Sequence, residues 1–108
     1  MDRVEMDKKE AVSKFDALAS ELRLDIVKLL VQFGDDGLVA GEISLQLAIP
    51  PTNLSFHLKT LTHAGLVYAE QEGRFQRYRA NTSALMSLVG YLMEKCCDKQ
   101  TKPKIELC

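Results

Sequence analysis

Cysteine is missing from most of this chain: all three thiols of the 108 residues lie in the closing stretch "EKCCDKQTKPKIELC", at Cys96, Cys97 and Cys108. A secreted disulfide framework spreads an even number of cysteines through a small fold, so this odd set in one tail excludes that class. In a reducing cytosol these are free thiols, metal ligands or redox switches. Long apolar runs are missing too: no stretch approaches the roughly 18 residues a membrane span needs. The opening "MDRVEMDKKE" is charged throughout and has no apolar core of a signal peptide. A cytoplasmic protein without membrane association is expected. A basic excess, the usual mark of a nucleic-acid binder, is also lacking, with 14 Lys and Arg against 15 Asp and Glu. The length allows one domain with a modest core and no two-lobed catalytic cleft.

The overall charge balance hides a gradient. Residues 1 to 50 hold 6 basic and 10 acidic side chains, whereas residues 51 to 80 hold 4 (Lys59, Arg74, Arg77, Arg79) against 2 (Glu70, Glu72). The middle of the chain is locally basic.

Apolar residues recur at helical spacing from Val12 (Val12, Phe15, Leu18, Ala19, then Leu22, Ile26, Leu29, Leu30, Phe33), predicting two amphipathic helices with a break near Ser20. Ser20 is a suitable cap for the second. "GDDG" at 34 to 37 reads as a turn. A short helix over Ala40 to Leu47 follows, then a helix from Pro51 to Ala64 with Leu54, Leu58 and Leu61 on one face, stopped by Gly65. Pro50 offers no side-chain oxygen to the helix amides, so stiffness sets that entry instead of a hydrogen bond. "LVYAEQEGRFQRYRAN" predicts two strands around Gly73-Arg74, a sequence suited to a type II′ hairpin. Asn81 or Thr82 caps a last helix with Leu85, Leu88, Val89, Leu92, Met93 and Cys96 as its apolar residues. This is a mostly α chain with a small β-hairpin, in the order of a winged helix-turn-helix. The expected division is a winged helix-turn-helix domain for DNA binding and dimerisation over residues 1–98 and a flexible tail over 99–108 carrying Cys108.

"NLSFHLKTLTHAGLV" resembles the helix-to-strand junction of the ArsR/SmtB family of metal-responsive repressors, a Ser-x-His-Leu run leading to Ala-Gly-Leu-Val. "EGRFQRYRA" looks like that family's wing, and "LASELRLDIVKLL" is similar to its second helix. The likeness covers about residues 12 to 95. It implies a homodimer that binds double-stranded operator DNA when unloaded and releases it when an ion binds. Apolar stripes on the first and last helices support pairing through those helices, because so small a monomer has no second layer to cover both.

With the Leu54, Leu58, Leu61 stripe inward, the opposite helix face carries Thr52, Asn53, Phe56, Lys59, Thr60 and His63. Short polar side chains near a helix N-terminus suit base edges in a major groove. Thr52, Asn53 and Ser55 match positions that contact DNA in the family, and Lys59 is placed for phosphate. Phe56 departs from the family pattern; it either meets a thymine methyl or packs loosely on the wing or a neighbouring helix. His57, on the flank of the apolar face, is either a partly buried structural histidine or a reader of bases. On the wing, Arg74, Gln76, Arg77 and Arg79 are placed to reach phosphates or a minor groove.

Two usual locations for an inducing ion lack ligands here. "LVAGEISLQLA" holds no cysteine, and the two histidines, His57 and His63, both lie on the DNA-reading helix. The tail remains. Three thiolates without an obvious fourth ligand favour a soft ion content with three sulfurs, and trivalent arsenic or antimony, As(III) or Sb(III), fits. The resemblance to arsenical-responsive repressors with a C-terminal Cys-Cys…Cys arrangement points the same way. The eleven steps from Cys97 to Cys108 span at most about 40 Å, so Cys108 can fold back on its own chain or cross to a partner subunit. Nearby Lys95, Lys99, Lys102 and Lys104 favour thiolates. A thiol redox or reactive-sulfur sensor is the alternative within regulation. An enzyme is not expected: a thiol arsenate reductase needs an oxyanion loop, and no glycine-rich or Arg-bearing loop follows Cys96 or Cys97.

Overall fold

The computed structural model describes residues 6–95. The chain runs α1 (Lys8–Leu18), α2 (Glu21–Phe33), a 3-10 turn (Gly34–Asp36), β1 (Leu38–Val39), α3 (Ala40–Leu47), α4 (Pro51–His63), β2 (Val67–Glu72), β3 (Phe75–Ala80) and α5 (Thr82–Met93). The expected winged helix-turn-helix order is present, with α3 and α4 as the helix-turn-helix and β2–β3 as the wing. The boundary expected after residue 98 lies outside the described residues.

Helix ends follow local chemistry. Asp7 and Glu10 form a reciprocal capping box, Glu10 N–H donating to Asp7 Oδ1 at 2.8 Å and Asp7 N–H to Glu10 Oε1 at 3.2 Å. This starts α1 four residues ahead of Val12, where the apolar period begins. Ser20 Oγ accepts from Arg23 N–H at 3.3 Å and starts α2. Pro50 makes no side-chain cap bond, and Pro51 occupies the first turn of α4, so chain stiffness does set that entry.

The turn between α3 and α4 is strained. Ala48 has φ 54° and ψ 45°, left-handed values that cost an L-residue about 1–2 kcal/mol. Ser44 closes over it: Ser44 Oγ donates to the Ile49 carbonyl, and Ile49 N–H donates to the Ser44 carbonyl at 3.1 Å.

The hairpin register pairs Glu72 with Phe75, leaving Gly73-Arg74 as a two-residue loop. Gly73 has φ +60° while Arg74 does not have positive φ, which excludes a type I′ turn and fits the expected type II′. A third strand was not expected. Leu38–Val39 pairs antiparallel with β3, Leu38 opposite Tyr78 and Val39 opposite Arg77, giving the order β1-β3-β2. Two residues are too few to show an alternating pattern, so the strand exists only through its partner.

The core lies where α2, α3, α4 and the base of the wing meet. Ile26, Leu30, Ile43, Leu54, Leu61, Leu66 and Val67 are fully buried within it. Leu54, Leu58 and Leu61 face inward as their spacing predicts. In α2 the inner face is turned slightly: Val27 is buried with Ile26 and Leu30, whereas Leu22 is exposed. Arg23, half-buried at the same helical spacing, takes a place on that inner face.

Candidate nucleic-acid interface

The α4 face opposite the core is open. Thr52, Asn53, Ser55, Phe56, Lys59 and His63 are all exposed, and Thr60 is half-buried with its hydroxyl donating to the Phe56 carbonyl at 3.2 Å. Ser55 stands slightly apart, lining a shallow cleft with Gly41, Ser44 and Tyr78 between α3, α4 and β3. Phe56 is 64% exposed and touches the His57 ring edge-on, centroids 5.7 Å apart. His57 is half-buried, and its Nδ1 lies 3.3 Å from Arg23 Nη1. Of the two expectations for His57, anchoring is therefore present; its second ring nitrogen makes no hydrogen bond among the described residues.

The wing is less freely basic than its sequence. Across the hairpin Arg77 Nε donates to Glu72 Oε2 at 2.9 Å, and its Nη1 donates to the Asp36 carbonyl at 3.0 Å. The bond to Glu72 holds the Arg77 guanidinium above its ordinary pKa, so it stays charged at any working pH. Arg79 repeats the arrangement one step along, pairing with Glu70 and donating to the Asp35 carbonyl at 2.7 Å. These two arginines clasp the wing to the 3-10 turn that ends α2. Gln76 Nε2 donates to Gln71 Oε1 at 2.6 Å. Arg74, at the exposed tip, has no hydrogen bond among the described residues, and exposed Phe75 follows it.

Helix α4 and strand β2 are joined to α5 through Asn81. Its Nδ2 donates to the Gly65 carbonyl at 3.0 Å, its Oδ1 accepts from Ala84 N–H at 3.1 Å, and its N–H donates to the Leu66 carbonyl at 2.8 Å. The thiols Cys96, Cys97 and Cys108 lie outside the described residues; in the sequence Cys96 and Cys97 come three and four positions after Met93, the last residue of α5. Among the described residues no group of three or more His, Cys, Asp or Glu is placed to hold a metal. None of the described helices is long and apolar enough to cross a membrane.

Spacing alone overlooked Arg23, although a signal was there: an arginine at helical register with Ile26 and Leu30 on an otherwise apolar face must satisfy its charge inside the fold.

Residues 18–67 match a family model described as a helix-turn-helix domain. The arsenical resistance operon repressor of Bacillus subtilis is 30% identical over 95 residues, covering 88% of this chain and 87% of that protein. The transcriptional activator HlyU of Vibrio cholerae is 29% identical over 97 residues, 90% of this chain and 87% of that one. Among solved structures, an ArsR-like transcriptional regulator from Rhodococcus sp. RHA1 aligns with TM-score 0.71 and 28% identity, over 85% of this chain and 83% of that one. A homodimeric winged helix-turn-helix domain from Mycobacterium bovis, described as a possible ArsR-family regulator, aligns with TM-score 0.64 and 27% identity, over 92% and 96%. With this fold, an open recognition helix and relatives that regulate transcription, the chain belongs to the ArsR family of winged helix-turn-helix transcriptional regulators and is not an enzyme.

Proposed function

We propose that this regulator is a homodimeric repressor that holds operator DNA when unloaded and releases it when As(III) or Sb(III) joins Cys96, Cys97 and Cys108. The observation that carries the proposal is the place of the thiols: all three follow α5, the helix with the most open apolar face. In α5 Leu88 is buried, but Met86, Val89 and Leu92 are 70%, 55% and 63% exposed, and Val12 on α1 is 60% exposed. Side chains of this kind on two neighbouring helices are what a second copy of the chain would cover. The homodimeric state of the Mycobacterium bovis domain supports a dimer here.

The donor set suits the ligand. Three sulfurs match the preference of a trivalent soft ion, which supplies three strong bonds to thiolate when bound. Lys95, Lys99, Lys102 and Lys104 stabilise the thiolate forms. Any shift of α5 reaches the reading helix by a short route, because Asn81 binds the carbonyls of Gly65 and Leu66 just past the end of α4. A coupling of about 1–3 kcal/mol lowers operator affinity by roughly 5- to 150-fold. The arsenical resistance operon repressor among the relatives supports the sign of regulation and a link to arsenicals; the activator HlyU shows that relatives of this chain also act in the other direction.

Fluorescence anisotropy of the dimer on operator DNA, titrated separately with arsenite, antimonite and hydrogen peroxide, tests this. Release by arsenite or antimonite, lost in Cys96→Ser, Cys97→Ser and Cys108→Ser proteins, is the expected result. Release by peroxide alone would replace the metalloid ligand with thiol oxidation. Arsenite release that survives all three substitutions removes the tail as the site.

A further inference from the structure

Arg23 joins three helices. It projects from the inner face of α2, its Nε donates to the Ala17 carbonyl in the last turn of α1 at 2.6 Å, and its Nη1 lies 3.3 Å from His57 Nδ1 on α4. A guanidinium has donors and no acceptor and does not give up its proton in a folded protein. His57 Nδ1 must therefore be the accepting atom of this pair. An imidazole that accepts at Nδ1 carries its proton on Nε2, since the hydrogen bond made by one ring nitrogen sets the state of the other. Phe56, edge-on to the ring, limits its rotation from another side.

We propose that Arg23 is a positioning residue for DNA reading: it holds His57 as the Nε2–H form, a fixed hydrogen-bond donor on the recognition helix for an acceptor on a base edge in the major groove. Guanine N7 and O6 and adenine N7 are acceptors of this kind. Without Arg23 the ring exchanges tautomers and turns, and the helix face presents a donor only part of the time. Arg23 acts through His57 and does not itself touch DNA. The proposal rests on operator binding through α4.

The full-length protein is labelled with 15N, and the His57 tautomer is read from two-bond ring correlations. Operator fragments are obtained by letting the wild type select from random-sequence DNA. The wild type should show the Nε2–H form, and Arg23→Met a mixture. Arg23→Met should bind the selected fragment about tenfold more weakly per protomer, the loss of one directed hydrogen bond, with little change on unrelated DNA of equal length. His57→Ala removes both ring nitrogens, so adding Arg23→Met to it should cost no further affinity. Arg23→Lys, which retains charge and one donor arm, separates loss of the ring hydrogen bond from loss of folding: it should stay folded and show an intermediate tautomer mixture. An Nδ1–H ring in the wild type, equal losses on selected and unrelated DNA, or additive losses in the double variant each overturn the proposal. A wild type that selects no sequence overturns operator reading by α4 as well, whatever the tautomer shows.

Discussion

Asn81 Nδ2 lies 3.0 Å from the Gly65 carbonyl, so the residue that caps α5 also grips the chain as it leaves α4. Its Oδ1, turned to Ala84 N–H, serves the cap, and the two partners together dictate the orientation of the amide. Asn81→Asp keeps an acceptor for the cap but loses the donor and sets a carboxylate against a carbonyl. We expect about 1–2 kcal/mol lower stability in urea unfolding. If α5 signals to α4 by this route, the arsenite-induced drop in operator affinity also shrinks by at least about threefold. A variant with the wild-type drop would place the coupling elsewhere.

The wing arginines respond differently from what their number suggests. Arg77 uses Nε on Glu72 and Nη1 on the Asp36 carbonyl, and the Glu72 carboxylate beside it opposes the approach of a phosphate. Arg77→Ala is expected to weaken binding on all sequences and to lower the slope of log affinity against log salt, by about 0.9 for each phosphate no longer neutralised. Glu72→Gln removes the competing carboxylate and should tighten binding to unrelated DNA. An unchanged salt slope in Arg77→Ala would leave it as a clasp between the wing and the 3-10 turn, outside the DNA interface.

Gly37 has φ +58°, and a Cβ there would lie 2.8 Å from Arg79 Cγ and closer still to the Tyr78 carbonyl oxygen. Backbone cannot yield as a flexible side chain does, so Gly37→Ala must displace β1 from β3. A loss of more than about 2 kcal/mol is expected in equilibrium unfolding, with weaker protection of the β3 amides from hydrogen exchange. A loss under about 0.5 kcal/mol would mean that the strand pair relaxes at little cost.

Leu92 is the furthest of the exposed apolar residues along α5. Leu92→Asp brings one carboxylate per protomer into the proposed apolar interface, where it loses its hydration without gaining a partner. Analytical ultracentrifugation should show a monomer at concentrations where the wild type is a dimer, with at least about tenfold weaker operator binding. Persistence of the dimer would move the interface away from this end of α5.

Much of the fold is legible because its causes are local. Ser20, Pro51 and Asn81 mark helix starts by their own chemistry, and Leu54, Leu58 and Leu61 repeat at the helical period whether or not a partner is known. Other features have distant causes. Leu38–Val39 becomes a strand because β3 runs beside it, with Tyr78 opposite Leu38. Val12 and Val89 belong to stripes that the sequence marks for pairing with a second copy, but how far each stands open depends on how α1 and α5 pack on the rest of the monomer.

The sequence by itself determined the element order, the inward stripe of α4, the polar face opposite it and the concentration of every thiol beyond α5, since periodicity, caps and composition are local properties of the chain. Only the tertiary structure decided how the charges are used. Arg23 meets His57 across 34 positions, and Arg77 meets the Asp36 carbonyl across 41. Hydrogen bonds of a few ångströms between residues so far apart in the chain depend on how the helices pack, and no periodicity encodes that.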